Sequence, residues 1–90
     1  MNRIINDPFT ARFPRLDIHG ETRATCIAVI ESFIKDNLKL KEKNIVIIHG
    51  KGTGALRKAT HEYLKNRKKI NKYYINGLND GETIIELDLN

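Results

Sequence analysis

Three side chains of this sequence could carry out proton transfer: the Asp17 carboxylate and the His19 and His49 imidazoles. One imidazole could take a proton from an attacking hydroxyl while a second group protonates the leaving oxygen, and Asp17 could orient His19 or raise its basicity. Such groups suit cleavage of phosphodiester bonds. RNA supplies its own nucleophile, the 2′-hydroxyl, and so needs no cofactor, whereas DNA would need an activated water and a divalent ion such as Mg or Mn.

A glycine-rich loop directly follows His49. The β-branched run Ile45–Ile48 predicts a buried strand, and the loop after it leads into a helix. Amides in such a turn, the positive end of the helix dipole and a lysine charge would together seat a phosphate. A tight turn that needs glycine only for steric reasons is the alternative. The loop residues proposed to bind phosphate are Gly50, Lys51, Gly52, Thr53 and Gly54.

Apolar periodicity and turn residues predict the element order βαβαββ, an α/β (α+β) two-layer sandwich with a four-stranded mixed sheet and two helices. The first helix should start after an N-cap at Thr22. His61, between polar neighbours in the second helix, is expected to be solvated. The predicted strands are 15–20, 45–48, 73–76 and 83–89, and the predicted helices are 23–40 and 55–68.

A right-handed crossover makes the first two strands parallel and puts their carboxyl ends at the same edge of the sheet. Asp17 and His19 fall at one of these ends, and His49 with the glycine loop falls at the other. Ligands of open α/β sheets bind at this edge. We therefore expect the two segments to line one cleft.

Positive charge is concentrated after the loop. Between residues 51 and 72 there are eight basic residues and a single acid, Glu62. This asymmetry favours binding of a polyanion such as nucleic acid, although a solvated helix face is the alternative for any run of charge. Beyond the loop, the residues predicted to contact phosphate are Arg57, Lys58, Lys65 and Lys68.

Size and composition fit one small globular domain. The chain has 90 residues, a net charge of +5 and 40% hydrophobic residues. We interpret residues 1–15 as an irregular N-terminal arm and residues 16–90 as the domain. We see neither a membrane-spanning run nor a signal peptide, which predicts a cytoplasmic protein, and we expect a monomer. Dinucleotide and P-loop motifs are missing, and no metal site is predicted because cysteine partners and a His-x-x-x-His pair are lacking.

Leu16-Asp17-Ile18-His19-Gly20 followed by His49-Gly50-Lys51-Gly52-Thr53-Gly54 resembles the small MutS-related (Smr) domain, whose signatures are LDxHG and HGxGxG about thirty residues apart. The segment 83–87 also fits the T-x-V-x-L strand of that family. The turn before it departs from the pattern, with Asn79 and Asp80 where more glycine is usual. The resemblance covers residues 16–89 and is nearest to the stand-alone form of the family.

This resemblance implies nucleic-acid binding and, in many members, endonuclease (nicking) activity on DNA or RNA, with cleavage attributed to the LDxH positions. Asp17, His19 and His49 are accordingly our candidate catalytic residues. Two alternatives stay open at this point. One is a non-catalytic module that docks on nucleic acid or the ribosome, and the other is a basic surface that binds an acidic protein.

Overall fold

The fold is a four-stranded sheet with two helices, as predicted. The computed structural model describes residues 8–90, so residues 1–7 of the predicted arm lie outside the described part of the chain. The elements are β1 (Arg15–Asp17), α1 (Arg23–Lys39), β2 (Asn44–Ile48), α2 (Ala55–Leu64), β3 (Ile70–Ile75) and β4 (Glu82–Leu87).

The sheet has the strand order β1-β2-β4-β3. Strands β1 and β2 are parallel, with Asp17 opposite Ile48, while β4 runs antiparallel to both of its neighbours. The helices pack together on one face of the sheet, so the molecule has two layers. Since β1 and β2 end side by side, the segments that follow them begin next to each other.

Helix α1 forms where the sequence predicts it. Thr22 is the N-cap, and its hydroxyl accepts a hydrogen bond from the Thr25 amide while the Thr25 hydroxyl accepts one from the Thr22 amide. This reciprocal pair satisfies two amides that a helix start leaves open. Ile30 and Ile34 are buried on the inner stripe, together with the free thiol of Cys26.

The core lies between the helices and the inner face of the sheet. It is built largely of aliphatic side chains, since β-branched residues pack well on a pleated surface. Burial of this apolar area is the main stabilising contribution to the fold. The buried core residues are Ile18, Cys26, Ile30, Ile34, Ile45, Ile47, Ala59, Leu64, Ile85 and Leu87.

Helix α2 ends at Leu64, four residues before the predicted end at 68. Asn66 has a φ of +66°, a left-handed conformation in which the chain leaves the helix and turns toward β3. Strand β3 in turn begins at Ile70, three residues earlier than predicted. The helix is shorter because the chain must reverse here to bring β3 alongside β4.

A buried carboxylate fixes the start of β1 against β4. Arg15 donates to Glu82 Oε2 at 2.7 Å and to the Thr10 carbonyl at 2.9 Å, and Asn76 Nδ2 donates to Glu82 Oε1 at 3.0 Å. The Glu82 side chain is only 9% exposed, so these bonds compensate the cost of burying its charge. Arg15 therefore links the end of the arm to the sheet.

Candidate functional site

Asp17 and His19 form a tight pair at the carboxyl end of β1. His19 Nδ1 donates to Asp17 Oδ1 at 2.6 Å, and the same oxygen accepts the His19 amide at 3.0 Å. This arrangement fixes the tautomer, because a proton on Nδ1 leaves Nε2 as the lone-pair nitrogen of the neutral ring. The His19 side chain is 71% exposed, so its imidazole is accessible to a ligand.

The two members of the pair shift each other's pKa in opposite directions. The hydrogen bond from His19 lowers the pKa of Asp17, while the hydrogen bond to Asp17 and then its negative charge raise the pKa of His19. Each partner stabilises the charged form of the other. Asp17 is thus ionised over the physiological range, and His19 is a stronger base than a free imidazole.

The glycine loop lies beside this pair, as the parallel arrangement of the strands predicts. The Ile18 amide donates to the Ile48 carbonyl at 2.9 Å, which joins the chain just before His19 to the end of β2. A Cβ atom placed on Gly50 would lie 3.7 Å from the Cβ of His19, and Gly50 has a φ of +81°. The two sequence motifs are therefore neighbours at one edge of the sheet.

His49 turns inward, away from that opening. Its side chain is buried, with the residue 5% exposed. Nδ1 donates to the Gly50 carbonyl at 3.0 Å, and Nε2 lies 2.8 Å from the Thr83 hydroxyl. Both ring nitrogens are thus hydrogen-bonded within the protein, so the site exposes one imidazole, that of His19, where the sequence predicts two lining the cleft.

His61 is only partly exposed and is hydrogen-bonded within the protein, so the prediction of a solvated side chain was wrong. Its Nε2 lies 2.7 Å from the Thr83 hydroxyl, and its ring packs edge-on against Tyr73 at 5.1 Å between centroids. Burial lowers the pKa of His61, and His49 and Arg57 lower it further. The three side chains His49, Thr83 and His61 form a hydrogen-bonded chain between the loop and α2.

The roles of His61 and Thr83 were missed at the sequence level. Polar neighbours on both sides of His61 suggest an outward-facing position, whereas the fold turns this residue toward β4. Thr83 falls on the threonine of the T-x-V-x-L pattern, and that match was the available signal. A threonine inside an apolar strand needs a hydrogen-bond partner when it is buried, and its partners lie 34 and 22 residues earlier in the chain.

The turn between β3 and β4 supports the loop from the other side. The Gly81 carbonyl accepts the amides of both His49 and Gly50 at 3.0 Å. A Cβ on Gly81 would lie 3.3 Å from the carbonyl carbon of Gly50, a closer approach than most side chains allow. Beside this contact, Lys51 pairs with Asp80 at 3.4 Å, with both side chains about two-thirds exposed.

The four basic residues predicted to contact phosphate beyond the loop fall into two groups. Arg57 folds back over the loop, with Nη2 3.2 Å from the Cβ position of Gly54, the residue that starts α2 in a left-handed conformation. Lys58 and Lys65 line a groove with Arg57 beside α2. Lys68 lies beyond the end of α2 and borders a different groove, next to α1. The structure therefore does not place Lys68 with the other three.

No helix within 8–90 is both long and apolar enough to cross a membrane. In the same residues, His, Cys, Asp and Glu side chains do not come together in a group of three or more that could hold a metal ion.

The sheet order, the paired motifs and the loop define a known class of domain. The family model of the Smr domain matches residues 16–87, so the chain belongs to the Smr domain family. The crystal structure of the Smr domain of Thermus thermophilus MutS2 superposes with a TM-score of 0.80 at 27% identity, covering 82% of this chain and 96% of that one. YdaL, a stand-alone small MutS-related protein from Escherichia coli, shares the fold with a TM-score of 0.79 at 21% identity, over 88% of this chain and 70% of its own.

Curated relatives include proteins named endonuclease MutS2. The protein from Geobacillus sp. is 40% identical over 75 residues, which cover 80% of this chain and 10% of the relative. The one from Caldanaerobacter subterraneus is 33% identical over 89 residues, 96% of this chain and 11% of the relative. The chain thus spans about a tenth of the length of these relatives and corresponds to a single domain of each.

Proposed function

We propose that this domain binds nucleic acid across the glycine loop and cleaves a phosphodiester bond with the Asp17–His19 pair. The observation that carries the proposal is the 2.6 Å contact from His19 Nδ1 to Asp17, which leaves the Nε2 lone pair of an exposed ring beside Gly50. The name endonuclease carried by the MutS2 relatives supports the same reaction class.

In this mechanism His19 is the general base. Nε2 accepts the proton of the attacking hydroxyl, and Asp17 stabilises the imidazolium that forms. The loop amides, the start of α2 and the Lys51 ammonium stabilise the negative charge that develops on the phosphate. Because the His19 side chain is 71% exposed, the leaving oxygen can take its proton from solvent.

His49 has a positioning role in this proposal. It was a candidate for direct proton transfer, but its ring is buried and both nitrogens are committed to the Gly50 carbonyl and the Thr83 hydroxyl. By holding the Gly50 carbonyl, His49 sets the direction of the loop next to His19. Its contribution to catalysis is thus made through the loop rather than by contact with the substrate.

RNA is the preferred substrate because it brings the nucleophile that this site lacks. The test is incubation of purified protein with end-labelled RNA and DNA of the same sequence, with and without EDTA. We expect metal-independent RNA products that end in 2′,3′-cyclic phosphate. Cleavage of DNA alone, and only with added metal, would contradict the RNA mechanism. Binding of either nucleic acid with no cut product would favour the non-catalytic module, with the ribosome among its targets.

Replacing Asp17 by asparagine should shift the pH dependence of cleavage. A general base works in its neutral form, and Asp17 raises the pKa of His19, so the acid limb of the wild-type rate profile lies above that of an ordinary imidazole. Removing the carboxylate charge should move this limb to lower pH and reduce the plateau rate. Single-turnover rates measured from pH 5 to 9 would show both effects. An acid limb that does not move would mean that His19 is not the titrating base.

Replacing Asp80 by asparagine should strengthen nucleic-acid binding. Asp80 neutralises part of the Lys51 charge through an exposed ion pair at 3.4 Å, and such pairs contribute about 0.2–1 kcal/mol. Freeing Lys51 should thus lower the Kd by a factor of about two to five at low salt. The matched control is Asp36→Asn on the exposed surface of α1, which changes the net charge equally. Equal gains in the two variants would mean that only overall charge matters.

A further inference from the structure

A cationic groove of about 410 Å³ lies between α2 and β3. Arg57, Lys58 and Lys65 border it, and Glu62 is the single carboxylate among its lining residues. That carboxylate is already paired with Arg23 of α1 at 2.7 Å. The groove therefore has an excess of positive charge and several hydrogen-bond donors, which suits phosphate groups.

The groove is continuous with the glycine loop through Arg57. This guanidinium lies against Gly54 at the end of the loop and also borders the groove. From Arg57 to Lys65 is eight residues of chain, about 12 Å along a helix axis at 1.5 Å per residue. That length exceeds the axial rise of about 3.4 Å per nucleotide, so the groove is long enough to contact more than one phosphate of a strand.

His61 also lines the groove. The hydrogen bonds that join His49, Thr83 and His61 determine which nitrogen of the His61 ring carries the proton. With both rings neutral, a single arrangement of protons satisfies all three bonds. His49 Nδ1 must donate to the Gly50 carbonyl, so His49 Nε2 accepts the Thr83 proton, and the Thr83 oxygen accepts from His61 Nε2. The lone pair of His61 is thereby left on Nδ1, the polar ring atom available to a ligand in the groove.

Protonation of His61 at Nδ1 leaves the chain unbroken, since Nε2 continues to donate to Thr83. The titratable and charged groups around this ring are His49 just after β2, Tyr73 from β3, and four residues of α2 and its C-cap, namely Arg57, Lys58, Glu62 and Lys65. Burial and the nearby positive charge keep the pKa of His61 low in the free protein. A bound anion would offset that charge and allow the ring to take up a proton.

We propose that the groove is a second backbone-phosphate subsite, in which His61 binds a phosphate as an imidazolium between Arg57 and Lys65. The subsite extends the path of the strand away from the Asp17–His19 pair, and it rests on the proposed function only in that the ligand is a nucleic-acid strand. It predicts binding that tightens as pH falls, through a residue outside the catalytic pair.

The test uses the hexanucleotide dT6 and a His19→Ala background, which removes the other exposed imidazole. Kd is measured by fluorescence anisotropy at pH 7.5 and 5.5, and the His61 ring is followed by ¹⁵N NMR. We expect affinity about tenfold higher at pH 5.5 and a rise in the His61 pKa when dT6 is added, in line with a charged hydrogen bond. Adding His61→Gln, which keeps a donor toward Thr83 but cannot be charged, should reduce the pH effect to about twofold or less.

A second pair of variants separates the groove from general electrostatics. Lys65→Ala and Lys35→Ala change the net charge equally, but Lys35 lies on α1 beside a different groove. We expect Lys65→Ala to weaken dT6 binding several-fold more than Lys35→Ala. Binding with equal pH dependence in the His19→Ala and His19→Ala/His61→Gln proteins would overturn the subsite while leaving nucleic-acid binding intact. No binding of dT6 at either pH would also overturn the subsite, whereas the proposed function is tested separately by cleavage of labelled RNA.

Discussion

Replacing His19 by alanine should lower the rate of phosphodiester cleavage by a factor of about 10² to 10⁴, the usual contribution of a general base. The His19 imidazole is hydrogen-bonded to Asp17 at 2.6 Å, and the His19 side chain is 71% exposed. Its loss removes the proton acceptor without opening a cavity in the core. Single-turnover cleavage of a labelled RNA measures the effect.

Two controls separate a chemical effect from a structural one. The variant should unfold at the wild-type temperature and keep most of its affinity for RNA, since the loop and the basic residues of α2 are unchanged. Added imidazole should restore part of the rate, because the site is open enough for a free base to enter. Cleavage by His19→Ala at the wild-type rate would remove the Asp17–His19 pair from the mechanism.

Replacing Thr83 by valine should destabilise the fold by about 2–4 kcal/mol, since it leaves the buried Nε2 of His49 and the partly buried Nε2 of His61 without their partner. Thr83 is fully buried, and its hydroxyl bonds Nε2 of His49 at 2.8 Å and Nε2 of His61 at 2.7 Å. Valine has nearly the same shape, so packing changes little. For a domain of this size, the melting temperature should fall by more than about 10 °C.

Thr83→Ser is the matched control, since it keeps the hydroxyl and removes only a methyl group. Urea unfolding of the two variants should show a clearly larger loss for valine than for serine. We also expect valine to impair RNA binding, because His49 holds the Gly50 carbonyl of the loop. Equal stability of the two variants would show that the hydroxyl and its two histidine partners contribute little to the fold.

Local sequence signals predicted which helices and strands form, but they did not predict where α2 ends and β3 begins. Thr22 and the apolar stripe of α1 are read from neighbouring residues, and both are as predicted. The end of α2 is different, because three of the residues 65–68 are good helix formers and Asn66 is the single local signal for a stop. The chain turns at Asn66 because β3 must pair with β4, a constraint set by residues far along the sequence.

The candidate site was also predicted correctly in one part and wrongly in another. The short spacing of Asp17 and His19 and the parallel order of β1 and β2 are sequence properties, and together they predicted correctly that the pair and the glycine loop are neighbours. Spacing says nothing about where a histidine at the end of a strand points. His49 and His61 were therefore assigned to cleft and solvent, although both rings converge on Thr83.

The amino-acid sequence by itself determined the element order and the position of the two motifs at one edge of the sheet, because these follow from local periodicity and from the handedness of strand crossovers. The two motifs and their spacing indicated the family. Only the tertiary structure decided that the His19 imidazole is exposed, that the His49 ring is buried and that the His61 ring is partly buried against Thr83. That choice depends on Thr83, whose hydroxyl bonds both rings because β4 lies between β2 and β3 in the sheet.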